Sequence, residues 1–107
     1  MFGNVERHMR PKVRLSRLRD IGWNLWDPIG LLDEGQSWEH QAFADEYDTY
    51  LVQAASRLRR NVPVDEVINY LAQIESVHMG LGDQPGSNDR LRKVVDAILA
   101  DDQIWSE

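Results

Sequence analysis

Glu75 and His78 stand three residues apart in a stretch where Val64, Val67, Ile68, Leu71 and Ile74 recur at helical spacing. At about 100° per residue both fall within that apolar stripe. Two ionisable groups on an apolar face need partners. Glu-x-x-His on one helix is half of the carboxylate-bridged di-metal pattern of helical bundles, which requires a second such pair and two further carboxylates. The chain contains no second Glu-x-x-His. A mononuclear site would recruit Asp27, His40, Asp45 or Asp48, all hard or borderline ligands. The plainer expectation is that Glu75 accepts hydrogen bonds from a tryptophan, tyrosine or arginine near the end of the core, with His78 a satisfied core histidine. No cofactor is expected; if a metal binds, Glu75 and His78 are its first ligands.

A second constellation runs from Trp26 to Tyr50. It opens Trp26-Asp27-Pro28-Ile29-Gly30 and closes Asp45-Glu46-Tyr47-Asp48-Thr49-Tyr50. Trp26, Trp38, Tyr47 and Tyr50 could line an aromatic pocket, but aromatics at helical spacing more often build a core. Asp48 lies at the margin of an apolar face, where it is expected to receive the Trp26 indole or a backbone amide of the Asp27 to Gly30 turn. There is no cysteine, which removes thiolate zinc sites and cysteine nucleophiles together. No Ser-His-Asp arrangement stands out, and Gly80-Leu81-Gly82 follows a helix where a phosphate loop would precede one. No residue is assigned a catalytic role.

The elements that must position these groups are helical. Residues 1–11 lack apolar periodicity and read as a basic arm, with residues 12–107 as one domain. A first amphipathic helix is expected from Lys12 to Trp26, with Leu15, Leu18, Ile21, Gly22, Leu25 and Trp26 inside. Pro28 stops it, because the residue before a proline avoids helical geometry. A long ordered loop follows, containing a helical turn near Ser37 to Gln41. A second helix should begin near Asp45 as its cap, with Asp48 in capping-box position and Tyr47, Tyr50, Leu51, Ala54, Ala55 and Leu58 inside. Asn61 and Pro63 end it, and a third helix runs on from Val64 to Gly80. Asp83 to Gly86 reads as a turn, after which Ser87 or Asn88 can cap a fourth helix on Leu91, Val94, Val95 and Ile98. Ile104 and Trp105 are expected to fold back onto the core. The sum is an all-α, four-helix, bundle-like single domain without strands.

At 107 residues the chain has room for one core. The formal net charge of −6 is unevenly spread. Residues 1–20 carry six basic residues, whereas Asp27 to Tyr50 holds Asp27, Asp33, Glu34, Glu39, Asp45, Glu46, Asp48 and no Lys or Arg. A continuous acidic segment repels phosphate backbones, so nucleic acid is not an expected partner. No apolar run approaches the ~20 residues of a membrane span, and no signal peptide is visible. A cytoplasmic location is expected.

The blocks Trp26-Asp27-Pro28-Ile29-Gly30 and Asp45-Glu46-Tyr47-Asp48-x-Tyr50, then Val64-Asp65-Glu66 and Glu75-x-x-His78-Met79-Gly80-Leu81, resemble a family of small bacterial proteins catalogued as domain of unknown function 1871. The resemblance covers roughly Leu18 to Leu81. It implies a small bacterial helical protein with no enzyme activity to transfer, some members resembling immunity proteins that neutralise the toxins of competitors. The leading expectation is therefore a non-enzymatic interaction module. Asp33, Glu34, Trp38 and Glu39 would meet a basic protein partner, while Trp26, Asp27, Pro28, Gly30, Tyr47, Asp48 and Tyr50 act structurally. The alternatives are a metal-binding protein or metal-dependent enzyme on Glu75 and His78, and a homodimer in which Trp23, Trp38 or Trp105 caps an apolar patch.

Overall fold

An apolar residue at every third or fourth position gives a helix one side that must leave water, and four such segments can cover each other. In the computed structural model, which describes residues 12–33, 35–82 and 86–106, this is the arrangement. The elements are β1 (Lys12–Val13), α1 (Leu15–Ile21) prolonged by a π turn (Gly22–Trp26), a 3-10 turn (Trp38–His40), α2 (Asp48–Arg59), α3 (Val64–Gln73) prolonged by a second π turn (Ile74–His78), α4 (Ser87–Ala100) and β2 (Trp105–Ser106). Among the described residues the domain is all-α and bundle-like apart from one two-residue ladder. Among the described residues no helix is long and apolar enough to cross a membrane.

α4 contacts α1, α2 and α3, which makes it the spine of the bundle. Its Leu91, Val94, Val95 and Ile98 are buried, facing Leu51, Ala54 and Leu58 of α2 and Val67, Ile68 and Leu71 of α3 in one core cluster. Each large side chain so buried contributes roughly 1.5–3 kcal/mol relative to exposure. α2 and α3 join through Asn61 (φ 66) and Pro63, a sharp corner between helices in direct contact. The π turn after α1 packs tightly on α2 at Gly22, where a Cβ would come within 2.6 Å of Leu51 Cδ1.

Several sequence expectations are corrected. The first helix starts at Leu15, because Lys12 and Val13 pair antiparallel with Ser106 and Trp105; Arg14 N–H also donates to Ile104 O at 2.7 Å. Ile104 is accordingly buried and Trp105 half-buried. Trp23, left off the apolar stripe and placed at a surface only in the homodimer alternative, is 4% exposed, while Leu25, expected inside, is 38% exposed. The cause is the π turn, closed by Asp27 N–H on Gly22 O at 2.9 Å. One extra residue in the turn rotates the following side chains away from the 3.6-residue register.

α2 begins at Asp48 and not at Asp45. Residues before it wind through successive turns, with Glu46 N–H on Phe43 O (2.9 Å) and Asp48 N–H on Asp45 O (3.1 Å). Tyr47 occupies the cap position without a side-chain cap bond, so no capping box forms. At the start of α4 the cap is Gly86 (φ 75), not Ser87 or Asn88. The basic arm, residues 1–11, and most of the Asp83 to Gly86 turn lie outside the described residues.

Candidate functional site

The loop between α1 and α2 is held at both ends by one carboxylate. Asp27 leaves the π turn in a left-handed conformation (φ 31), unusual outside glycine but tolerated by aspartate. Its Oδ1 accepts Leu31 N–H at 3.0 Å and the Tyr47 hydroxyl at 2.8 Å, and its Oδ2 accepts Leu32 N–H at 3.0 Å. Gly30 (φ 72) closes the turn by donating its N–H to Asp27 O at 3.0 Å. The Tyr47 hydroxyl in turn accepts Ile29 N–H at 3.3 Å. Burial, and then the hydrogen bond to Asp27, push the Tyr47 phenol above its ordinary value of 10.0. The first and last residues of the loop are thereby one hydrogen-bonded unit.

Aromatic rings fill the space beneath it. Trp23 packs on Tyr47 (4.7 Å between centroids) and Phe43 (5.3 Å), and its indole donates to Ala44 O at 3.1 Å. Trp26 packs on Tyr47 at 5.2 Å and meets Tyr50 edge-on at 6.4 Å. There is thus no open aromatic pocket among these rings: Trp23, Trp26 and Tyr47 are core.

Asp48 does not receive the Trp26 indole or the turn amides. It takes the Arg19 guanidinium through two contacts, Nε to Oδ1 at 2.9 Å and a terminal nitrogen to Oδ2 at 2.5 Å. The Asp48 hydrogen bond leads in raising the Arg19 pKa from its ordinary value. The turn amides were already taken by Asp27, and the Trp26 indole goes to Glu75. Arg19 also lies over the half-buried Trp38 ring at 5.7 Å, while the Trp38 indole donates to Asp20 at 2.7 Å. Ser37 caps the short helical turn by accepting Glu39 N–H at 3.4 Å, and its hydroxyl also donates to the Glu39 carboxylate.

The loop carboxylates therefore fall into two groups. Asp27 and Asp48 are engaged inside the fold, whereas Asp33, Glu39, Asp45 and Glu46 are exposed and form no ion pair among the described residues. No Lys or Arg occurs from Asp20 to Ser56, and Arg19, paired with Asp48, also feels the Asp45 carboxylate. Glu34 lies outside the described residues.

Glu75 is 1% exposed. It accepts the Trp26 indole (2.6 Å), the Ser87 hydroxyl (2.6 Å) and an Arg90 guanidinium nitrogen (3.1 Å), which ties α1, α3 and α4 at one point. His78 is not a core histidine: it is exposed, edge-on to Tyr50 at 5.8 Å. The second π turn, closed by Met79 N–H on Ile74 O, carries it off the buried stripe. Among the described residues no three His, Asp or Glu side chains are grouped as a metal would need.

Sequence reasoning missed Arg19, Asp20, Ser87 and Arg90 as partners. No local spacing links them to Asp48, Trp38 or Glu75. One available signal is that Arg19 is the last cation before a long acidic run. Comparison with family models, with curated proteins and with solved structures found no match to this chain.

Proposed function

We propose that this chain is a non-enzymatic interaction module whose acidic loop side docks a basic protein partner. The observation that carries the reading is the division of the loop carboxylates. Those at its base are consumed in holding the loop, whereas Asp33, Glu39, Asp45 and Glu46 are exposed and form no ion pair among the described residues, Asp45 acting on Arg19 only through space. A rigid base under a patch of one sign speeds encounter with a cationic surface and disfavours wrong partners. Trp38, half-buried between Arg19 and the Asp20 carboxylate, adds an aromatic at the margin of that patch. The resemblance to the small bacterial family gives the reading a concrete version, a cytoplasmic immunity-type protein that neutralises a basic toxin.

The test is capture of a basic partner by wild type and by the charge reversal Asp33→Lys/Glu39→Lys. Both residues are exposed, so helical circular dichroism is expected to stay unchanged while capture falls steeply. Capture by wild type is also expected to weaken as salt rises, since exposed charges are screened over about 8–10 Å near physiological ionic strength. Equal capture by the two proteins would sink the reading.

A further inference from the structure

We infer that the docking surface selects arginine over lysine in its basic partner, with Asp20 and Trp38 as the residues that receive the guanidinium. This selection rests on the acidic loop side being a docking surface and adds which cation that surface prefers. Asp20 is exposed and forms no ion pair among the described residues, its neighbour Arg19 being taken by Asp48. Its Oδ1 accepts the Trp38 indole N–H at 2.7 Å, so the carboxylate and the aromatic are in direct contact. An ionised carboxylate offers about four lone-pair sites, and one indole leaves most of that capacity open. The Trp38 ring is half-buried, which keeps part of it in water beside the same carboxylate.

The chain already seats one arginine in this chemistry. Arg19 forks onto Asp48 through Nε at 2.9 Å and a terminal nitrogen at 2.5 Å, while its guanidinium carbon lies over the Trp38 ring at 5.7 Å. One guanidinium thus meets a carboxylate edge and this aromatic together. Asp48 neutralises it, so it does not bar a second cation from Asp20. A guanidinium is planar, weakly hydrated and shaped to fork onto a carboxylate, whereas an ammonium is a compact, strongly hydrated point charge. The acidic loop draws in both. Only the guanidinium can pair two donors with Asp20 and lay its plane against the exposed part of Trp38. Phosphate backbones and anionic bilayers would instead meet the loop with like charge.

The test is calorimetric titration of the full chain with oligoarginine and oligolysine of equal length and charge, at one salt concentration. Wild type is expected to bind oligoarginine about fivefold or more tighter than oligolysine. Asp20→Asn keeps an oxygen for the Trp38 indole but removes the charged fork, and Trp38→Leu removes the ring; each should bring the ratio of affinities close to one. Asp33→Asn sheds the same charge from an exposed carboxylate elsewhere on the loop. It should weaken both peptides alike and keep the ratio. Helical circular dichroism checks that each variant is folded, and Asp20→Asn, changed at an exposed side chain, decides the matter should Trp38→Leu fail to fold. Equal affinities in wild type, or a ratio that Asp20→Asn lowers no more than Asp33→Asn does, would overturn the selection yet leave the acidic docking reading standing. Binding of neither peptide would overturn both.

Discussion

A carboxylate removed from water has to be compensated by donors, and Glu75 has three from two other elements. Glu75→Ala strips the acceptor from a half-buried arginine, an indole and a hydroxyl at once. The expected loss is about 3–5 kcal/mol in urea unfolding, the usual consequence of breaking a buried pair from one side. Trp26→Phe removes one donor and leaves the Ser87 and Arg90 contacts, so its hydrogen-bond loss should be nearer 1 kcal/mol, plus the smaller ring's packing deficit. Tyr47 gives a pH signature. Its phenol titrates near 10.0 when unfolded and higher when folded, so the native state holds that proton more tightly. Stability from this group is whole below about pH 10 and is lost as pH climbs toward the folded value. Tyr47→Phe should cost about 1 kcal/mol at neutral pH and flatten the alkaline decline; a decline as steep as wild type's in the variant would contradict the assignment. That Glu75 needed partners was readable from its place on an apolar stripe. Which residues supplied them was not, since Ser87 and Arg90 come to it only through the packing of α4.

At the scale of elements, the stripes of α2 and α4 were legible because Leu51, Ala54, Ala55 and Leu58, and Leu91, Val94, Val95 and Ile98, keep the 3.6-residue period throughout. The ends of α1 and α3 were not. Both finish in π turns, and a pattern read at 100° per residue misplaces whatever follows the extra residue: Leu25 turns outward, Trp23 inward, and His78 leaves the core. The two wide turns meet through the Trp26 to Glu75 hydrogen bond. Packing and a buried polar contact, both long-range, account for what local periodicity could not supply. The tight approach of Gly22 to Leu51 offers a separate check. Alanine at position 22 favours a helix over glycine by about 1 kcal/mol, yet its Cβ would press on the fully buried Leu51. Overpacking of this kind costs about 1–3 kcal/mol, so Gly22→Ala should be net destabilising by roughly 1 kcal/mol, seen as a lower midpoint at unchanged m. A stabilised variant would show that α1 and α2 have room to separate there.

Taken whole, the molecule sets a cation-free stretch from Asp20 to Ser56 against a bundle whose later helices carry both signs. The acidic segment was visible in the sequence. Which of its members remain free was not, because that depended on Arg19 reaching Asp48 and on Asp27 folding back upon its own loop. Ile104, which lies beyond α4, is buried in the same core cluster as the helix stripes. Ile104→Ala should therefore cost about 2–5 kcal/mol although the residue belongs to no helix, and thermal unfolding would register it. The β1–β2 ladder beside it also fixes how the domain would respond to a pull. Its strands are antiparallel, Lys12 against Ser106 and Val13 against Trp105, so tension applied through the Lys12 and Ser106 ends loads the ladder like a zipper. Its hydrogen bonds would yield one after another at low force, before the load reaches the helices. A domain with such ends can be tethered through either terminus, and strain on the tether would be spent on two residue pairs before it disturbed the acidic face.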